Sequence, residues 1–318
     1  MAAAATGRGG RLALARRALG PLMWVAGLAV PIVLASSWVS ILAIFAIYAV
    51  VALSQDIVLG RAGMYDMGHA VYFGVGAYVT AILNTRLHWP IFATWPVAIV
   101  VAAVIGVALS APIVKLRGDY LLVATIGFNI IFVLAMSNDV FGLTGGPDGI
   151  FGVGVPHVLS LTLSSQGALF YLDWLVLALV LLIMRNLERS RVGRVFRYLK
   201  EDELAATTLG VDARYYKILA FAIGAGLAGA AGTLFAVQLA SVSPGSFVFT
   251  ESVTLFAIVL VGGQASIPGV LLGTALMFVV PQVFRGLAQY RYFAFGIAMI
   301  LVMVLRPQGI WPRRRSGP

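Results

Sequence analysis

The feature that most constrains this chain is a succession of long apolar runs with scarcely a charge inside them, extending from about residue 21 to residue 305. A run of roughly 20 apolar residues is the length that crosses a bilayer as a helix. A helix satisfies its own backbone in hydrocarbon, which an open sheet cannot do. Spans are expected near 21–37, 39–58, 62–84, 92–113, 119–137, 169–185, 218–238, 252–263, 267–284 and 292–305. A transmembrane β-barrel would alternate over segments of about 10 residues, whereas these runs are apolar on all sides. The predicted fold is all-α, a polytopic transmembrane helical bundle of about ten spans. It forms one domain over 21–305, between tails at 1–20 and 306–318.

Charged residues make up 11% of the 318, against about 25% in a soluble domain. The absence of cysteine excludes disulfide frameworks, thiol nucleophiles and Cys-based metal sites. A net charge of +10 would suit nucleic acid in a soluble protein. In a membrane protein, Lys and Arg instead mark cytoplasmic loops, and no nucleic-acid partner is expected. The stretch "MAAAATGRGGRLALARRALG" has no small-residue cleavage site after its apolar run and reads as a retained cytoplasmic tail.

Orientation follows from the basic residues. With the N-terminus inside, positions 8, 11, 16 and 17, then 61, 115 and 117, all fall on the inner side. So do 185, 189, 191, 194, 197, 200, 214 and 217, and the tail adds 306, 313, 314 and 315. Only Arg86, Arg285 and Arg291 are left outside. Both termini are therefore predicted to be cytoplasmic. The largest outer segment, 138–168, is rich in Gly and Pro and lacks Lys and Arg. Its length favours a functional or self-packed loop, and Gly145, Gly146 and Pro147 are candidates for an outer gate or docking surface.

Two kinds of irregularity stand out. The eighth span, "SVTLFAIVLVGG", is short, and "GGQASIPG" at 262–269 interrupts the chain before the ninth. Such a break, with Gly262 and Gly263 at its start, either lines a polar cavity or is a tight turn at the inner surface. Small residues also recur at helix-packing period. Gly224, Ala228 and Gly232 do so in the seventh span, Gly269 and Gly273 in the ninth, and Gly68 and Gly76 flank Tyr72 in the third. This spacing lets helix backbones approach closely in lipid.

Chemistry-bearing residues are sparse. No G-x-x-x-x-G-K-[ST] loop occurs, so ATP is not expected to bind by that route. His69, His88 and His157 are not at metal-ligand spacing, and no metal or cofactor is expected on this chain. Asp66 is read as the one exception to spans free of carboxylates, and an intramembrane acid is a functional candidate. An interfacial ion pair with Arg61 is the competing reading. His69, beside it, is read as a structural hydrogen-bonding residue.

The segment 186–217 is the soluble-looking island of the chain. A short amphipathic helix is expected over 199–209, ended by Gly210 at a left-handed position. Glu201, Asp202 and Glu203 are expected in its first turn, where they complement the dipole. Leu199, Ala205 and Ala206 would contribute to a shallow face open to a partner.

This island, "SRVGRVFRYLKEDELAATTLGVD" (190–212), resembles the cytoplasmic coupling segment of permease subunits in branched-chain amino acid ABC importers of the LivM type. The likeness continues through "MGHAVYFGVGAY" (67–78), "LRGDYLLVATIGF" (116–128), "LTGGPDGI" (143–150), "KILAFAIGAGLAGAAGTLFA" (217–236), "GGQASIPGVLLG" (262–273) and "RPQGI" (306–310). It departs at Tyr65-Asp66-Met67, where the family carries a small hydroxylated residue and Leu, and at Tyr198-Leu199-Lys200. The resemblance implies an ABC importer permease fold and a non-catalytic, multi-pass subunit of a bacterial inner membrane. Its implied partners are a second homologous permease, two cytoplasmic ATP-binding subunits that use ATP and Mg, and an extracytoplasmic substrate-binding protein. The implied cargo is a branched-chain or other hydrophobic amino acid, with urea, amides and aromatic acids as family alternatives. An ATP-independent secondary transporter and a transport-free scaffold subunit are the rival classes.

Overall fold

The computed structural model describes residues 36–280 except 117, 159–160 and 163–164, together with 293, 296, 297, 300 and 309–311. All of the first expected span but 36–37 and most of the tenth, with both tails apart from 309–311, lie outside the described residues.

The first described helix, α1 (Ser36–Asp56), continues through a π-helical turn at Ile57–Arg61. It is followed by α2 (Ala70–Leu87), α3 (Ile91–Ile113), α4 (Asp119–Ser137) and α5 (Gln166–Arg189). Two short helices come next, α6 (Arg191–Glu201) and α7 (Glu203–Thr208), then the long α8 (Ala213–Leu239). Finally α9 (Phe249–Gly262), led in by a 3₁₀ turn at Pro244–Phe247, meets α10 (Ile267–Thr274), which runs on through Val279. Among the described residues six helices are long and apolar enough to cross a membrane, and Ile267–Val279 is a shorter apolar one. The chain is thus a mostly helical polytopic membrane protein.

The third expected span, 62–84, requires correction. Residues 62–69 are not helical and α2 begins only at Ala70. Gly63 takes a left-handed φ of 74°, which ends the helical path and redirects the chain. The backbone of this irregular stretch is met by side chains of three helices. Gln55 Nε2 of α1 donates to the Asp66 carbonyl at 2.7 Å, and Met67 N donates to Thr125 Oγ1 of α4 at 3.0 Å. Ala70 N, just inside α2, donates to Ser252 Oγ of α9 at 3.1 Å. Non-helical backbone near hydrocarbon requires such partners.

Helix α8 is the centre of the molecule: 72% of its most apolar window is buried, against 17% for α4. Its small residues explain this. Gly224 lies on Ser54 and Val58 of α1, Gly229 on Ala98 and Ala102 of α3, and Gly232 on Phe73 and Ala77 of α2. Gly76 of α2 meets Gly229 backbone to backbone, and Ala228 is fully buried. Gly106 of α3, unread in the sequence, completes the seam against Ala225. Above this seam Phe73, Phe235 and Phe247 pack edge to face, with Phe73 and Phe235 centroids 5.0 Å apart. Gly68 sits against the Thr125 carbonyl, while Gly269 and Gly273 let α10 lie on Gly262 and Ile258 of α9.

Helices α1 and α5 run parallel. Ser40 Oγ donates to Gln166 Oε1 at one end (3.3 Å), and Arg61 Nη2 pairs with Glu188 Oε1 at the other (3.0 Å). The loop after α4 is self-packed around Asp139. The Asp139 Oδ1 accepts from the backbone of Thr144 (2.9 Å) and Gly145 (2.8 Å). Gly145, Gly146 and Gly149 all take left-handed φ, and β1 (Ile150–Phe151) pairs antiparallel with a strand at Ser241–Val242. A further ladder joins His157–Val158 to Leu161–Thr162.

Candidate functional site

The island folds as two helices rather than one. Ser190 caps α6, its Oγ accepting from Gly193 N at 3.1 Å. Gly193, Phe196 and Leu199 then form the buried stripe at three-residue intervals. At Asp202 the backbone swings to an extended conformation, and the carboxylate accepts from Ala205 N at 2.9 Å, which starts α7. The expected continuous helix over 199–209 is therefore corrected. Leu199 belongs to α6, Glu201 closes that helix instead of opening the next, and Asp202 is the cap between them. The favourable dipole placement expected of Glu201 is lost, because a carboxylate at a helix C-terminus faces partial negative charge. Glu203 does stand in the first turn of α7, and its Oε1 accepts from Lys217 Nζ of α8 at 2.8 Å.

Helix α7 ends with paired backbone bonds, Gly210 N to Thr207 O (3.0 Å) and Val211 N to Ala206 O (3.2 Å). With Gly210 at φ 85°, this is the Schellman arrangement, and it closes the helix on a residue that tolerates the left-handed region. Ala206 packs inward and Ala205 outward. Leu204 and Leu209 are 71% and 85% exposed, so α7 presents an apolar face to whatever meets it from outside the bundle.

Beneath the island lies a junction that sequence reading missed. Asp56 is fully buried at the end of α1. Its Oδ2 accepts from Arg61 Nε at 3.1 Å and its Oδ1 from Ala265 N at 2.7 Å. The π turn makes the pairing possible, since it stacks residues five apart instead of four. Ala265 sits in the break between α9 and α10, where Gly263 has φ 122° and Ala265 φ 56°. Lys200 of α6 closes the cluster: its Nζ donates to the Gly60 carbonyl at 2.6 Å and to Gln264 Oε1 at 2.8 Å. Burial pulls the Lys200 ammonium below the usual lysine range, with the charge on Asp56 acting in the opposite sense. The tail returns here too, as Ile310 N and Trp311 N donate to the carbonyls of Val261 and Gly262. Gly262 and Gly263 thus lie at a junction of four chain segments.

Asp66 does not pair with Arg61, which overturns that expectation. Gly63 turns Asp66 toward the bundle, where its Oδ2 lies 2.9 Å from His69 Nδ1 and its Oδ1 accepts from Gly68 N at 2.8 Å. His69 Nε2 is 2.8 Å from Ser54 Oγ. Asp66, His69 and Ser54 are fully buried, and their bonds lock the irregular stretch to α1 and α2. Nor is Asp66, which lies in the non-helical stretch, the lone buried carboxylate; the apolar helices hold others. Asp56 and Asp173 are buried there as well, and Asp173 Oδ2 has no hydrogen-bond partner among the described residues.

At the far end of α2 a cavity of about 570 Å³ is lined by Asn84, His88, Trp89, Phe151 and His157 among others. Gly145, Gly146 and Pro147 do not line it; they form the tight turn beside Asp139. Among the described residues no group of three or more His, Cys, Asp or Glu could hold a metal ion.

Among the described residues the arrangement shows hydrogen bonds and ion pairs that join chain segments. It offers an apolar helix at one face and a buried polar junction that ties this face to two broken membrane segments. Comparison with known proteins accords with that. A family model described as "Branched-chain amino acid transport system / permease component" matches residues 37–305. The chain is 33% identical over 315 residues to the high-affinity branched-chain amino acid transport system permease protein LivM of Escherichia coli, covering 92% of this chain and 74% of that protein. It is 28% identical to the permease protein BraD of Pseudomonas aeruginosa, covering 84% of this chain and 92% of that protein. With the probable LivM of Methanocaldococcus jannaschii it shares 24% identity over 85% of this chain and 92% of that one. No solved structure matches the chain.

Proposed function

The chain belongs to the branched-chain amino acid transport permease family, and from that premise we propose that it forms half of the membrane path of an ATP-driven importer for branched-chain amino acids. It sits in an inner membrane with both termini cytoplasmic and carries no catalytic residue of its own. ATP and Mg are used by two cytoplasmic ATPase subunits. A second, related permease supplies the other half of the path, and a binding protein delivers substrate from outside. The exposed apolar face of α7, with Leu204 and Leu209, is the observation that carries the coupling part of this reading. A solvated loop that only enforces topology has no reason to close a capped helix around such a face.

The ATPases would press on α7 when they close on ATP. That displacement does work only where its contacts differ between outward- and inward-open states, because coupling is a free-energy difference between them. Reconstituted vesicles holding the full complex should take up leucine only when ATP is inside and the binding protein outside. ATP-independent uptake by this chain alone would instead establish a secondary transporter.

A further inference from the structure

Two parts of the molecule that a permease must move together are joined through one side chain. On one side is the elbow between α6 and α7, where Lys200 lies in the last turn of α6, Glu201 ends it and Asp202 caps α7. On the other is the break at Gly263–Ser266, the non-helical hinge between α9 and α10. The Lys200 ammonium bonds Gln264 within that break and the Gly60 carbonyl at the π turn of α1. Its stem lies across Gly63, whose added Cβ would meet Lys200 Cγ at 2.9 Å. Gly63 is the second residue of the other non-helical segment, 62–69. Lys200 therefore touches the start of both broken segments while standing two residues from the coupling helix.

The chemistry suits a latch. Gly60 is among the last residues of its helix, where carbonyls lack intrahelical donors, and an ammonium at a helix C-terminus is favoured by the dipole. A charged donor makes a stronger bond than a neutral one, yet all its bonds break together if α6 shifts by a few ångströms. Asp56 steadies the same break independently, through Ala265 N, so loss of the Lys200 bonds frees Gln264 without dissolving the junction.

We propose that Lys200 is a positioning residue for transport, a latch through Gln264 and Gly60 that converts movement of α6–α7 into movement of the α9–α10 break. This rests on the importer reading. The test uses the complete complex in proteoliposomes, measuring ATP hydrolysis and leucine uptake side by side. Lys200→Met keeps the stem over Gly63 and removes the donors. ATP hydrolysis should stay near wild type while leucine moved per ATP falls about tenfold, within the usual span of coupling energies. Gln264→Met changes the other partner of the bond, in the break between α9 and α10 and outside α6 and α7, and should show the same split, and the double variant should be no worse than either single. If Lys200→Met fails to assemble, Gln264→Met decides alone. Wild-type leucine-to-ATP ratios in both single variants, or losses that multiply in the double, would overturn the latch. Absence of ATP-dependent leucine uptake by the wild-type complex would overturn the importer reading and the latch with it.

Discussion

Asp56 and Arg61 are buried to 0% and 4% exposure, and neither is tolerable there without the other. Breaking a buried pair by removing one partner leaves an uncompensated charge worth about 3–5 kcal/mol. Arg61→Met should therefore lower the stability of the detergent-solubilised protein by about that much, read as a fall in its unfolding midpoint. Adding Asp56→Asn should recover part of the loss, since the orphaned charge goes with it. Little of this was legible in the sequence. Asp56 follows Ser54 and Gln55 and reads as the end of a span. Five-residue spacing is not a helical pairing signal unless a π turn is foreseen. Asp66 was legible as an unusual acid, but its partner was not: the chain leaves the helical path at Gly63, with φ 74°, and Asp66 meets His69 beyond that turn. Asp173 did carry a signal, a carboxylate inside the expected span 169–185 between Leu172 and Trp174, and reading Asp66 as the one exception passed over it.

Among elements, the apolar helices were the readable part. The fifth expected span, 119–137, coincides with α4, and the seventh lies inside α8. Continuous apolarity over about 20 residues leaves the backbone no alternative to a helix in hydrocarbon. At the polar island that compulsion disappears and side-chain competition takes over. The run Glu201-Asp202-Glu203 looks like one acidic first turn, yet Asp202 is the residue whose short side chain reaches a free N–H, so the boundary falls there. Asp202→Ala should cost α7 about 1 kcal/mol. In hydrogen exchange, amides of 205–209 should lose protection while those of α8 keep theirs, and Asp202→Asn should behave as wild type. Equal loss of protection across α8 would mean that the elbow supports the whole bundle.

For the molecule as a whole, orientation can be measured because the native chain contains no cysteine. Single cysteines at Leu209 and Phe141, 85% and 92% exposed, should react with a membrane-impermeant thiol reagent from opposite sides. Leu209→Cys should be labelled only in inverted vesicles or opened cells, Phe141→Cys in intact spheroplasts. Labelling of both from one side would refute the charge-based topology. The seam through α2, α3 and α8 bears on how such a molecule can change shape. Long side chains can trade rotamers and let two helices slide by small steps. Where Gly76 meets Gly229 the contact is main chain on main chain, and no rotamer exists to exchange. That trio is a stiff chassis, and among the described residues movement is expected instead at the breaks 201–203 and 263–266.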